Sequence, residues 1–461
     1  MSVAGSHDQG STLNVLKSFD EAKMQGFHWR TVFTAGMGFF TDAYDLFIIG
    51  TVTAILTPIW GLTTGNIAIL NSTSLAAAAL GALFFGRLMD RFGRKAMYGV
   101  EMTMLTFGAI LCAFAPSFGW LVAFRVLVGF GVGGDYPTSS VLMSEYSNRT
   151  NRGLLVTMVF AMQGLGLLIG PLVAAALLST SMPHEIVWRV MLGLGAIPAA
   201  SVIYLRRKMA ETPRYLAVVK GDMAKAGAVV SSLTNTAVER AKVTTQKVVR
   251  QTWNKRNLIR LIGTAGSWFL LDIAFYGNGV SSQLILKALL PGAALVTTTL
   301  VAAAIFLIAA IPGYLVAAKY MDKLGRKAIQ LVGFVIMALA YGALFLAPGI
   351  AKLPILFLII YGVSYFFIEF GPNTTTFIVP AEVFPTNLRG SGHGMSAAAG
   401  KVGAFLGAFF LPVILAASGL PFTMGLLAGV ALLGVLLTAL ILPEMRGHSL
   451  DETEEFAPAT T

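Results

Sequence analysis

Apolar runs of about twenty residues recur along this chain from residue 30 to 442, separated by short polar turns and by one long polar stretch. A helix needs about 20 apolar residues to cross roughly 30 Å of hydrocarbon. The pattern therefore predicts membrane spans near 30–57, 66–89, 96–115, 119–145, 153–178 and 188–206, then near 260–286, 295–320, 327–347, 353–381, 391–417 and 421–442. The fourth and tenth runs carry more Gly and polar residues than a lipid-facing helix requires, which places them around an interior. Residues 207–258 form the long polar stretch, with Glu211-Thr-Pro-Arg214 and a Lys/Arg-rich helical pattern, and read as a linker lying against the membrane surface.

Composition supports this. The 461 residues are 56% hydrophobic and 12% charged, against about 25% charged in an ordinary soluble domain, which argues against a soluble enzyme. A single cysteine, Cys112, and no CxxC or Cys/His cluster give no basis for a disulfide, a metal or a redox cofactor. No GxxxxGK[ST] sequence is present, so ATP-driven pumping has no support. The polar stretch through Phe27 lacks the basic and short apolar regions of a secretory signal. A net charge of +11 would suggest nucleic acid in a soluble protein, but its distribution points to membrane topology and to no nucleic-acid partner. Of the 33 Lys and Arg, all but Arg125, Arg189, Lys287, Lys352 and Lys401 fall on the side that holds both termini and the linker. The positive-inside rule makes that side cytoplasmic.

The chain repeats itself. Asp90-Arg-Phe-Gly-Arg-Lys95 returns as Asp322-Lys-Leu-Gly-Arg-Lys327, Glu145 and Arg152-Gly153 return as Glu382 and Arg389-Gly390, and Asp42 pairs with Asp272 at a similar offset. Two six-helix halves in the same orientation follow, an arrangement of parallel repeats found in one large transporter fold. The expected organisation is an N-terminal bundle over 1–206, a cytoplasmic linker over 207–259, a C-terminal bundle over 260–442 and a cytoplasmic tail over 443–461. The repeated loops either hold topology or form ion-pair clusters between the halves that break as the halves rock. Asp90, Arg94, Glu145, Arg152, Asp322, Arg326, Glu382 and Arg389 are the candidate gating residues. With Arg125 followed by Gly129-Phe-Gly131-Val-Gly133, and with Pro443-Glu-Met-Arg-Gly447, these motifs resemble the major facilitator superfamily over nearly the whole chain.

Charges at membrane depth are costly and mark function. Asp42, Asp45, Asp135, Asp272 and Glu369 lie deep in spans. Asp42 stands about 13 residues, roughly 20 Å, beyond Trp29, which is near the middle of the membrane. Arg125 and Lys401 are the opposing charges and either neutralise these acids structurally or act on a ligand. Trp268, Asp272 and Tyr276 repeat every four residues and share a helix face, so they read as a cavity wall. Pro137 predicts a kink beside Tyr136, and Gly371-Pro-Asn-Thr predicts a distortion beside Asn373. Gln163 adds an amide that either bridges helices or faces the interior.

Tyr136, Gln163, Trp268, Tyr276, Asn373 and Lys401 together offer donors and one positive charge, with acceptors on the carboxylates. A small oxyanion that carries its own protons fits such a wall. Phosphate can donate an O–H to Asp272, whereas sulfate at neutral pH has none to give. Burial disfavours the charged form of an acid and a bound anion disfavours it further, so proton and anion binding favour each other. Asp272 is the candidate proton-linked substrate residue, and Asp42, Asp45 and Asp135 form a candidate relay, with sodium as the alternative coupling ion.

Five stretches carry a narrower resemblance: Gly38-Phe-Phe-Thr-Asp-Ala-Tyr-Asp-Leu-Phe47, Gly133-Gly-Asp-Tyr-Pro137 running to Met143-Ser-Glu-Tyr146, Trp268-Phe-Leu-Leu-Asp-Ile-Ala-Phe-Tyr276, Phe370-Gly-Pro-Asn-Thr-Thr-Thr-Phe-Ile-Val-Pro380 and His393-Gly-Met-Ser-Ala-Ala-Ala-Gly-Lys-Val-Gly-Ala404. In this order they resemble the phosphate:proton symporters of the major facilitator superfamily. The resemblance implies an all-α polytopic membrane protein of twelve transmembrane helices in two six-helix bundles. It implies import of inorganic phosphate by proton symport at the cell membrane, with no enzyme activity. It also implies phosphate binding at Tyr136, Gln163, Trp268, Asp272, Tyr276 and Asn373, Lys401 near the site, and proton movement through Asp42, Asp45 and Asp135. Thr138 and Gly277-Asn278 depart from the family's usual residues, which bears on affinity. A proton symporter for a sugar or organic acid, and a phosphate-binding membrane sensor, are the rival readings.

Overall fold

The structure is a computed structural model that describes residues 16–17, 19–234 and 251–454. The Lys/Arg-rich part of the linker between 235 and 250 and the end of the tail lie outside the described residues. The rest is helical. Six spans, Gly26–Trp60, Thr64–Phe92, Arg94–Ala113, Phe118–Tyr146, Arg152–Leu178 and His184–Lys208, precede the linker, and Lys255–Val280, Leu295–Leu324, Arg326–Leu346 and Pro354–Val383 follow it. The last helical run, Arg389–Ile441, breaks at Gly419 (φ 76°, ψ 175°) and so makes the eleventh and twelfth spans. Twelve spans in two six-helix bundles result, numbered here in chain order.

Local sequence sets the ends. The first span starts at a capping box in which the Gln25 backbone N–H donates to His28 Nδ1 at 3.0 Å and stops at Gly61, whose φ of 62° only glycine adopts cheaply. Between the expected and observed spans the differences are local. The seventh begins at Lys255 and ends at Val280, where Ser281 starts a separate short helix, Ser282–Leu289. The tenth breaks at Gly371 (φ −101°, ψ −112°), where Pro372 has no N–H to continue the ladder. Pro137, by contrast, sits inside an unbroken helix.

Small residues let the spans meet backbone to backbone, as membrane helices do when lipid leaves them little hydrophobic drive. A Cβ on Gly133 of the fourth span would lie 2.0 Å from the Ala78 carbonyl of the second, and one on Gly403 of the eleventh would lie 2.1 Å from the Phe269 carbonyl of the seventh. The same device thus recurs in both halves. Across the halves, a Cβ on Gly86 of the second span would lie 2.5 Å from the Gly390 carbonyl of the eleventh. The fourth and tenth spans also touch across the halves, where the Ser140 hydroxyl donates to the Phe377 carbonyl at 3.1 Å. The interface between the bundles is where the polar residues gather.

Candidate binding site at the bundle interface

The seventh span delivers Trp268, Asp272 and Tyr276 on one face, the fourth delivers Tyr136, and the eleventh delivers Lys401. Lys401 Nζ donates to Asp272 Oδ2 at 3.2 Å and to the Tyr276 hydroxyl at 2.9 Å. It also lies over the Tyr136 and Tyr276 rings, 4.1 and 4.2 Å from their centroids, where the negative faces of the rings add to its neutralisation. The Tyr136 and Tyr276 hydroxyls meet at 2.9 Å and join the two bundles. Trp268 fits because residue 400 is glycine: a Cβ there would lie 2.5 Å from the indole ring.

Beside this cluster stands a second. Tyr314 of the eighth span donates its hydroxyl to Gln163 Oε1 at 2.6 Å, and Asn373 Nδ2 reaches Gln163 Oε1 at 3.0 Å, the Tyr314 hydroxyl at 2.8 Å and Glu369 Oε2 at 2.5 Å. The break at Gly371 turns Asn373 toward this group. All seven residues expected around a ligand, Tyr136, Gln163, Trp268, Asp272, Tyr276, Asn373 and Lys401, are buried. Above them the first and seventh spans close: the Phe47 ring lies tilted against Tyr276 with ring centroids 5.4 Å apart, and a Cβ on Gly50 would lie 2.4 Å from the Val280 carbonyl.

The remaining acids differ in company. Asp45 accepts from Arg125 at 2.6 Å, so the buried arginine of the fourth span has a structural partner. Asp135 accepts from Arg206 Nη1 at 2.5 Å and Nη2 at 3.2 Å and from Ser139 at 2.6 Å, and Arg206 also reaches Glu101 at 2.8 Å. Gly38 makes room for this pair, since a Cβ there would lie 2.0 Å from Asp135 Oδ2. Among the described residues, both oxygens of Asp42 are buried with no hydrogen-bond partner.

The face carrying the linker is closed by two related corners. In the first, Asp90 accepts from the backbone N–H groups of Gly390 (2.9 Å) and Ser391 (2.6 Å), and Glu145 accepts from Arg94 (2.8 Å) and from Arg389 of the other bundle (2.9 Å). In the second, Asp322 accepts from the N–H groups of Gly153 (3.0 Å) and Leu154 (2.8 Å), and Glu382 pairs with Arg326 at 2.7 Å. Two points differ from the ion-pair clusters expected. The aspartates bind helix N-terminal amides of the opposite bundle, where the helix dipole favours an anion, and not a cation there. Arg152 does not join Glu382; it turns to Asp20 at 3.4 Å and to the His448 carbonyl at 3.2 Å.

Several residues escaped the sequence reading. Arg206 stands at the end of the sixth span, and nothing local says that its side chain runs back to Asp135. Glu101, a charge inside a span, was a visible signal. Tyr314 has no signal in its own sequence. Asp20, Arg214 and Asp451 tie the N-terminal segment, linker and tail together, with Arg214 paired to Asp20 at 2.7 Å and to Asp451, and Glu454 ties the tail to the loop after the tenth span by accepting from the Thr386 N–H at 2.7 Å.

Twelve helices in two bundles with a buried polar site between them define a membrane transporter of the major facilitator type. Solved structures agree at the level of the fold. A proton:xylose symporter, XylE, bound to 6-bromo-6-deoxy-D-glucose superposes with a TM-score of 0.82 at 19% identity, over 93% of this chain and 98% of that one. Residues 27–457 match the family described as "Sugar (and other) transporter". The chain is 37% identical to the "Probable inorganic phosphate transporter 1-6" of Arabidopsis thaliana, over 96% of each chain. It is 38% identical to the "Inorganic phosphate transporter 1-6" of Oryza sativa subsp. japonica, over 99% of this chain and 98% of that one. The chain belongs to the sugar (and other) transporter family of the major facilitator superfamily, and within it to the branch of the inorganic phosphate transporters.

Proposed function

We propose that this protein imports inorganic phosphate across the cell membrane by proton symport, alternating access to the central cluster between the two faces. The observation that carries this reading is Lys401, a buried cation shared at the bundle interface between Asp272 and Tyr276 and in contact with Tyr136. Its relatives' names supply the substrate class. Phosphate entering from the far face parts Tyr136 from Tyr276 and takes Lys401 as its counter-ion. Asp272 then loses its partner, and an unpaired carboxylate in a dry interior is more costly than a protonated one. It takes up a proton and becomes a donor to, or shares a proton with, the phosphate. Anion and proton binding are thereby tied to one cation. Gln163, Asn373 and Trp268 supply the remaining donors.

The relay runs through Asp42, Asp45 and Asp135. Asp42, without a partner, is the natural proton carrier, while Asp45 and Asp135 are held by arginines and hand protons on only when those pairs loosen. The linker face is cytoplasmic and both termini lie there, as the distribution of Lys and Arg supports. Release to that side requires both corners, Asp90 with Glu145 and Asp322 with Glu382, to open.

The test is phosphate uptake by proteoliposomes under an imposed pH gradient, for wild type and Asp272→Asn. Wild-type uptake should follow the gradient, arsenate should compete, sulfate and sugars should not, and Asp272→Asn should fall to background. Uptake that ignores the gradient, or a fully coupled Asp272→Asn, overturns the proposal.

A further inference from the structure

A cavity of about 940 Å³ opens at the linker face along the seam between the second and eleventh spans, a size within the range of roughly 300–1,000 Å³ that small-molecule sites occupy. Leu83, Arg87 and Arg91 line one wall. They recur every fourth residue and so share one helix face. Ser391 and Met395 of the eleventh span line the other wall, and Trp253, in the segment entering the seventh span, joins them. Leu83 is 44% exposed and lies about 12 Å deeper in the membrane than Arg91, so the wall passes from apolar to basic as it nears the surface. Among the described residues no acid pairs with Arg87 or Arg91. Asp90, which also lines the cavity, already has both oxygens on the amides of Gly390 and Ser391.

We propose that this cavity binds an anionic phospholipid, its headgroup phosphate on Arg87 and Arg91 and an acyl chain along Leu83 and Met395. Two guanidiniums one helical turn apart suit a phosphodiester, and basic pockets between spans on the cytoplasmic side are where anionic headgroups dock. A free phosphate ion would gain from the arginines alone and nothing from the apolar depth of the wall. Because the walls belong to different bundles, the bound lipid bridges them while the linker face is closed. That consequence for gating rests on the alternation proposed above; the binding itself does not.

The purified full chain in detergent is titrated with phosphatidylglycerol and, separately, with phosphatidylcholine, with bound lipid read by native mass spectrometry. Phosphatidylglycerol should bind wild type in preference to phosphatidylcholine, and Arg87→Gln with Arg91→Gln should weaken it about thirtyfold. Met395→Trp, which fills the apolar wall and leaves both charges, should also lose the lipid, whereas Arg87→Lys with Arg91→Lys should retain most of it. The last two variants keep the test open should the glutamine pair not fold. Equal binding of phosphatidylcholine overturns the proposal. So does displacement of phosphatidylglycerol by inorganic phosphate or glycerophosphate, which would make this a free-anion site.

Discussion

The Asp90 and Asp322 corners of the linker face are built from the same six-residue motif, yet only the first carries a salt bridge from one bundle to the other. At the first corner Glu145 is shared by Arg94 and Arg389, Arg94 also donates to the Thr386 carbonyl at 2.8 Å, and Glu454 of the tail approaches Arg389 at 3.8 Å. At the second, Glu382 hydrogen-bonds only Arg326 among the described residues, while Arg152, the counterpart of Arg389, bonds Asp20 and the His448 carbonyl. The aspartate-to-amide contacts are matched on both sides. Two more acids match as well: Glu211 accepts from the Arg94 N–H at 3.2 Å and Glu444 from the Arg326 N–H at 3.0 Å. The two halves share the frame of these corners, and the segments outside the bundles redistribute the charge within it.

This inequality can be broken. Glu145→Gln should have the largest effect, since it leaves two buried arginines short of a carboxylate, a loss of about 3–5 kcal/mol. Thermal unfolding in detergent measures it, and a cysteine at Ser140, beneath this corner, should react faster with a water-soluble thiol reagent. Glu382→Gln should cost less, roughly 1–3 kcal/mol, because Arg326 keeps Asp322 at 3.0 Å and Arg152 keeps Asp20. Equal losses from the two substitutions would show that the corners bear the same load after all.

The smallest effect sharpens the comparison through pH. Burial alone would push the Asp20 carboxyl up, but the Arg214 and Arg152 guanidiniums beside it hold it below the usual aspartate range. A group lowered on folding stabilises the protein in full above its ordinary value, about 3.9 for aspartate, and loses that contribution as pH falls through the folded value. Wild type should therefore lose thermal stability below about pH 4 more steeply than Asp20→Asn. Identical acid limbs for the two proteins would mean that the ion pairs of Asp20 with Arg214 and Arg152 do not stabilise the fold.

The bundles were legible because span length and the repeated loops are local signals. So was the shared helix face of Trp268, Asp272 and Tyr276, since helical spacing alone aligns it. The contacts of Lys401 were not, because nothing in the eleventh span says which acid of the seventh it meets. Arg206 ends the sixth span at the edge of the linker, yet its long side chain turns back into the membrane to Asp135. The tail carries the acidic run Asp451-Glu-Thr-Glu-Glu455. Its pairing of Asp451 with Arg214 joins residues 237 positions apart, which no local pattern encodes.

Asp90 and Asp322 grip main-chain amides, and every residue except proline presents one. The side chain of Leu154 is thus free to drift without loosening the second corner, and although the Ser391 hydroxyl also serves Asp90 at the first, searches for co-varying positions will pass over the main-chain contacts. Proline scanning at the starts of the fifth and eleventh helices is the route by which genetics would find them.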